Sequence, residues 1–477
     1  TAAVAAACTG TSSTQVAVRA ETTVPRRTTT TAPPDCAQML PADGKASQLL
    51  MATVSNPGRA QPLVAEGTIG GMVLSGEQSS QVAGQITAAI ADAPLPVTVA
   101  ADEEGGGTQQ LRNSAGQLAA AATLGKGTPQ DAATATGEHA AKVKAQGVTM
   151  VFAPVADSGS GGVLGTRTYG SDPAAVGDMV AAVIPSILDQ GVLPVVSHWP
   201  GVGRGSADPS QKLTTVAQID TLRTRDLVPF DRAIAAGVPA VLVTHAVIPG
   251  LTGTKEPATL SRAAITDELR GRQGFQGLVV TDDLGSPAVT GLTTQAEAAE
   301  LAIGAGADVA VVNGQDAARA AYARLVDAIT ARRLDPDQVT ASVRRVLATK
   351  GITGQCLDAV ARYSALQRGG STDGTTTGGT TDGSGSTTVD GSTTTVDPAS
   401  QSQTPGAGTI VRTGPPTTRG AGSSSGSGSS SGSGSSSGSG SSSGSGAGTA
   451  TSSSLPRTTT TLPRTTTTLL RVTTTAG

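Results

Sequence analysis

The chain has 477 residues and a formal net charge of −3, and only 14% of its residues are charged. That balance provides no basic surface of the kind nucleic acids require, and no run of 18 apolar residues occurs that would read as a membrane span. Aromatic residues make up 1%, and all of them (Phe152, Tyr169, Trp199, Phe230, Phe275, Tyr322 and Tyr363) fall between 152 and 363, which confines the material for a core to the middle of the chain.

In chain order, residues 1–8 end in Val4-Ala5-Ala6-Ala7-Cys8, with Thr9-Gly10 following. This reads as the remnant of a bacterial lipoprotein signal, with Cys8 the acylated residue, although Ala5 stands where Leu is usual. An ordinary export signal or a truncated gene start accounts for the same residues without a lipid. Residues 9–35 form a Thr/Pro-rich linker. Residues 366–477 form a Gly/Ser/Thr-rich tail with SSSGSG repeats and two Leu-Pro-Arg-Thr-Thr-Thr-Thr copies, starting at 455 and 462. Neither segment has enough apolar surface to offset its ordering entropy, so both are expected to be disordered spacers around a single domain, 36–365.

Inside that domain, apolar runs at 69–74, 97–101, 148–153, 193–197, 240–244, 278–281 and 309–312 read as buried strands, with Ala-rich helical stretches between them. The best-marked helix has Asp172 as its N-cap, Pro173 at its first position, apolar periodicity through Ile187 and Gly191 beyond its end. Near-continuous apolar strands alternating with helices predict a parallel sheet covered on both faces. Seven or eight such units fit an α/β fold of the (β/α)8 TIM-barrel type better than two smaller sheets. Cys36 and Cys356 bracket the domain. In an exported protein they would staple its ends; in a reduced one they would be small buried hydrophobes. With no CxxC and no His-rich cluster, no metal and no cofactor are expected.

Asp102, His198, His245, Asp282 and Asn313 each follow a predicted strand directly, and Asp157 lies a few residues beyond another. In a barrel these positions share the mouth where active sites are built. Each alone reads as readily as a turn or cap residue. Six together point to a site.

At these strand ends the sequence resembles glycoside hydrolase family 3, in its single-domain bacterial β-N-acetylglucosaminidase form, over about 47–350. The motifs that carry the resemblance are Gly70-Gly71-Met72-Val73-Leu74, Asp102-Glu103-Glu104-Gly105-Gly106, Phe152-Ala153-Pro154-Val155-Ala156-Asp157, Gly165-Thr166-Arg167-Thr168-Tyr169-Gly170-Ser171-Asp172-Pro173, His198-Trp199-Pro200-Gly201 and Thr281-Asp282-Asp283-Leu284. The resemblance implies a retaining mechanism with Asp282 as nucleophile, Asp283 being the better candidate for a helix cap. It also implies that Asp102, Arg167 and His198 contact sugar hydroxyls, and His245 is expected to join them. The implied partner is carbohydrate, namely peptidoglycan or chitin-like amino sugars. The implied location is outside the cytoplasm, either secreted or held at the membrane only by a lipid on Cys8, and the protein is expected to be a monomer.

The chain departs from the family pattern where protons are handled. Relatives follow Lys-His-(Phe/Ile)-Pro-Gly with Asp-Ser-His, whose final His is the general acid/base. Here the Lys position is Ser197 and the His position is Ser210, while Asp208 remains. The Arg that follows Glu-Gly-Gly in relatives is Gly107. Acid catalysis typically contributes about 10²–10⁴-fold in rate, and a serine hydroxyl is too weak an acid to supply it. The missing cations remove charge-assisted bonds worth roughly 1.5–3 kcal/mol each. The expectation is therefore a family-3 hydrolase with impaired activity or a lapsed pseudoenzyme that binds carbohydrate, with Asp208, Glu103 and Glu104 as possible substitute acids.

Overall fold

The computed structural model describes residues 33–159 and 162–369. The lipidation candidate Cys8, most of the 9–35 linker and all but the first residues of the 366–477 tail lie outside the described residues. Eight parallel strands close into a barrel: β1 (Leu50–Val54), β2 (Gly71–Leu74), β3 (Thr98–Ala101), β4 (Met150–Val151), β5 (Leu193–Trp199), β6 (Ala240–Val243), β7 (Leu278–Asp283) and β8 (Val309–Asn313), each paired with its chain neighbours and β8 with β1. Seven of these coincide with the runs read from the sequence. The eighth, β1, was not among them. It follows the helix Ala42–Gln48 after a single residue, and its Leu-Met-Ala-Thr-Val carries no turn signal on its leading side.

Strand alternation divides the apolar residues into two layers. Met51, Val73, Ala100, Met150, Val195, Leu242, Val280 and Val311 fill the lumen. The intervening residues, such as Ala52, Val99, Val196, Val241, Val279 and Val312, pack outward against the helices. The longer helices include α1 (Pro129–Ala145) and α2 (Pro173–Leu188). α2 starts where its sequence signals put it: Asp172 Oδ1 accepts from Ala174 N at 2.9 Å, and Gly191 beyond its end takes φ +69°. Cys36 and Cys356, 320 positions apart in sequence, are disulfide-bonded with their Cα atoms 5.1 Å apart, and Cys36 N donates to Gly354 O at 2.8 Å. The two ends of the described domain thus meet.

Candidate active site

The lumen ladder explains which polar side chains reach the mouth. Leu278 and Val280 point inward, so the next inward position on β7 is Asp282; by the same count β8 offers Asn313 and β3 offers Asp102. On β6 the inward residues are Ala240 and Leu242, which makes Thr244 the next one. These ends surround a cavity of about 370 Å³ whose lining includes Asp102, Phe152, Arg167, His198, Asp208, Ser210, Asp282, Asp283 and Asn313. Asp102, Arg167, His198, Asp208, Ser210 and Asp282 therefore share one cavity.

His245 does not join them, and its expected role as a sugar contact is corrected. It is one residue past the inward Thr244, so it faces the opposite way and is fully buried off the cavity. Its Nδ1 lies 2.9 Å from Thr259 Oγ1 and its Nε2 2.9 Å from the carbonyl oxygen of Asp283. Both ring nitrogens are spent on structure.

Asp282 is held in its ionised form. Burial favours the neutral acid, but the electrostatic pull of His245 and His198 and hydrogen bonds from Thr244 and Asp283 outweigh it, keeping the pKa below the usual carboxylate value. Thr244 Oγ1 donates to Oδ2 at 2.7 Å and Asp283 N donates to Oδ1 at 2.9 Å. Asp283 does not take the capping role the sequence suggested: the helix that follows, Pro287–Thr290, has Ser286 as its N-cap, and Asp283 closes the turn before it, with Gly285 N donating to its Oδ1 and Asn313 Nδ2 to its Oδ2, both at 2.8 Å. Thr244 was not singled out in the sequence, though the inward count along β6 identifies it.

One wall of the cavity is a chain of paired charges. Arg167 donates to both oxygens of Glu104, at 2.6 and 2.7 Å, and lies 2.9 Å from His198 Nε2. Asp157, fully buried, accepts from His198 Nδ1 at 2.8 Å and from the backbone N–H groups of His198 (2.9 Å), Val202 (2.5 Å) and Gly203 (3.1 Å). When the His198 ring is neutral with its Nδ1 proton on Asp157, Nε2 accepts the Arg167 N–H, and in that state the imidazole orients its neighbours. Burial opposes its charged form, but Asp157 outweighs burial and raises its pKa. Arg167 behaves likewise, with burial opposed and outweighed by Glu104. His198 reaches the mouth because the β5–β6 register shifts between Val196 and Trp199, an irregularity that re-aims the strand end.

Asp102 belongs to the same wall, and Gln110 Nε2 donates to its Oδ2 at 3.0 Å. Burial first, then the neighbouring Glu104, push its pKa up to about 7. The other two candidate acids are committed elsewhere. Glu104 is the partner of Arg167, and Glu103 accepts from the backbone of Gln110 and Leu111 and sits 2.7 Å from His139 Nε2. Neither lines the cavity. Charge partners this far apart in sequence leave no local motif, so Glu104–Arg167 and Asp157–His198 were not legible as pairs.

The opposite rim is the loop after β5. Ser210 donates to Asp208 Oδ1 from its backbone N–H (2.9 Å) and its hydroxyl (2.8 Å), and Ser286 Oγ donates to the Ser210 carbonyl at 2.6 Å.

A closed barrel of eight parallel strands with an ionised carboxylate and several polar side chains gathered at its strand ends defines a (β/α)8 protein with a polar pocket at the barrel mouth. Residues 42–349 match the profile of the glycosyl hydrolase family 3 N terminal domain, and the chain belongs to that family. The beta-hexosaminidase LpqI of Mycobacterium tuberculosis is 35% identical over 329 residues, which is 65% of this chain and 83% of LpqI. The solved structure of M. tuberculosis LpqI superposes with a TM-score of 0.62 at 35% identity, covering 66% of this chain and 95% of that one. A family-3 β-N-acetylglucosaminidase from Paenibacillus sp. FPU-7 gives a TM-score of 0.61 at 30% identity, covering 70% of this chain and 65% of its own.

Proposed function

We propose that this protein is a retaining hydrolase of β-linked N-acetylglucosamine-containing glycans of the cell wall, with turnover reduced by the loss of an imidazole acid. The observation that carries the reading is Asp282: a carboxylate kept ionised by Thr244 and the Asp283 N–H, in a cavity lined also by Asp102, Arg167 and His198. In such a mechanism Asp282 attacks the anomeric carbon as the leaving oxygen departs, and water then cleaves the glycosyl ester. Asp102 and Arg167 supply hydrogen bonds to sugar hydroxyls, and His198 holds Arg167 in place. Likeness to proteins called beta-hexosaminidase and β-N-acetylglucosaminidase supports the amino-sugar substrate class.

The reduced turnover rests on Ser210, whose hydroxyl is already donated to Asp208. That same feature favours a second reading, in which the barrel binds carbohydrate without cleaving it. In either case 36–365 is the functional domain, 9–35 and 366–477 are spacers, and the Cys36–Cys356 disulfide suits an extracytoplasmic site to which acylated Cys8 would tether the chain.

A 4-nitrophenyl N-acetyl-β-D-glucosaminide assay separates the two, because its leaving group needs little protonation. Turnover that falls at least about 10³-fold in Asp282→Asn is the expected result, in line with loss of a nucleophile. Absence of turnover in folded wild type, with N-acetylglucosamine oligomers still bound, overturns hydrolysis and leaves the binding reading.

A further inference from the structure

We propose that Asp208 itself is the general acid/base of this site, with Ser210 and Ser286 as its positioning residues; the inference rests on the hydrolase reading above. Four carboxylates line the cavity: Asp102, Asp208, Asp282 and Asp283. Asp282 is the nucleophile. Asp283 has one oxygen on the Gly285 N–H and the other on Asn313, so it is consumed in the turn. Asp102 sits on the Glu104–Arg167–His198 wall with its Oδ2 accepting from Gln110 Nε2 at 3.0 Å, and it serves the sugar-binding side. Asp208 differs from all three. Both bonds from Ser210 fall on Oδ1, which leaves Oδ2 for a substrate.

A continuous set of hydrogen bonds fixes Asp208 relative to the nucleophile. Ser286 N donates to the Asp283 carbonyl at 3.0 Å, and Ser286 Oγ donates to the Ser210 carbonyl at 2.6 Å. Ser210 in turn holds Asp208 Oδ1 twice. The rim loop is thereby tied to the end of β7, one residue from Asp282. A serine hydroxyl cannot protonate a sugar alkoxide, but as a donor it can hold a carboxyl group that does. Retaining glycosidases commonly work with such a pair of carboxyl groups.

The steps balance. In the first, Asp282 Oδ bonds to the anomeric carbon, the glycosidic C–O bond breaks, and the Asp208 carboxyl proton moves to the departing oxygen. In the second, the Asp208 carboxylate takes a proton from water as that water's oxygen bonds to the anomeric carbon and the ester to Asp282 breaks. Asp208 regains its proton and Asp282 its charge.

The test compares Asp208→Asn and Asp208→Glu on N,N′-diacetylchitobiose and on 2,4-dinitrophenyl N-acetyl-β-D-glucosaminide, with and without sodium azide. The expected result for Asp208→Asn is a loss of about 10²–10⁴-fold on the disaccharide, a much smaller loss on glycosylation by the aryl substrate, and azide acceleration with release of a β-glycosyl azide. Asp208→Glu recovers part of the disaccharide activity, which excludes a merely structural effect of the loop. Equal losses on both substrates, or no azide product, overturn the proposal. Wild-type turnover abolished by Asp282→Asn but unchanged by Asp208→Asn removes Asp208 while leaving the hydrolase reading intact. No wild-type turnover of either substrate removes that reading itself.

Discussion

On one side of the cavity, Glu104, Arg167, His198 and Asp157 lock one another in place with short charged bonds, and two of the four are almost fully excluded from solvent. On the other side, the loop from Arg204 to Ser210 is held by hydroxyl and backbone hydrogen bonds and stays partly exposed. The two sides also differ in the chemistry that holds them. The wall is built from ionised side chains, while the rim is built from hydroxyl and backbone donors around a single carboxylate, Asp208. A buried charge network resists substitution, because removing one member strands the others without water. A rim held by hydroxyls can change its chemistry at little cost to the fold.

The largest expected effect comes from rebuilding the rim. Because Asp208 already supplies acid catalysis, Ser210→His with Pro209→Ser should raise the rate on N,N′-diacetylchitobiose by up to about 10²-fold, the low end of what such catalysis contributes, and leave activated aryl glycosides much less affected. The new imidazole would take over the Asp208 carboxylate now used by Ser210. Gly107→Arg can be added, since a side chain there meets nothing within 4 Å at its Cβ. Ser197→Lys is harder, because Ser197 is buried and its hydroxyl already has no partner. Equal gains on both substrates would mean that the changes act through folding or binding and not through proton transfer.

A smaller effect, on stability, tests the wall. Asp157→Ala leaves the buried N–H groups of Val202, Gly203 and His198 without an acceptor and frees the His198 ring. It should cost about 3–5 kcal/mol in urea unfolding, the range for breaking a buried charged network. Ser210→Ala, on the rim, should cost about 1 kcal/mol or less, because its partner remains reachable by water. If the two variants unfold alike, the contrast between wall and rim is wrong.

The same contrast separates what the sequence made legible from what it did not. Near-continuous apolar runs located seven strands and, with them, the strand-end residues at the mouth. They fail for β1, where a helix runs into the strand without punctuation, and for His245, where being next to a strand end says nothing about facing inward. A count from Leu242 to Thr244 would have placed both Thr244 and His245. The pairs Glu104–Arg167 and Asp157–His198 lie beyond any count, because each joins residues more than thirty positions apart that only barrel closure brings together. Ser286 caps the short helix Pro287–Thr290, and its second bond, to the rim, is set by how the loop folds over β7.

Asp102 gives the smallest effect and probes the wall by pH. Its pKa in the fold is about 7 against an ordinary 3.8, chiefly through burial. The folded protein therefore keeps a proton there that the unfolded chain releases between about pH 4 and 7. With the folded value raised, the stability contributed by this group is fully present below about pH 4 and is lost as pH rises towards 7. Asn mimics the protonated acid and cannot ionise, so Asp102→Asn should gain stability relative to wild type across that window and hold the gain above it. The full shift would correspond to about 4 kcal/mol, but Asp102 is only partly buried where it lines the cavity, and screening reduces the expected difference to about 1 kcal/mol. The measurement is the difference between the two urea stability curves as a function of pH, which cancels every other titrating group to first order. A difference that is flat from pH 4 to 8 would mean that Arg167 neutralises Asp102 as fully as it does Glu104, and the wall would then carry two paired carboxylates instead of one pair and one protonated acid.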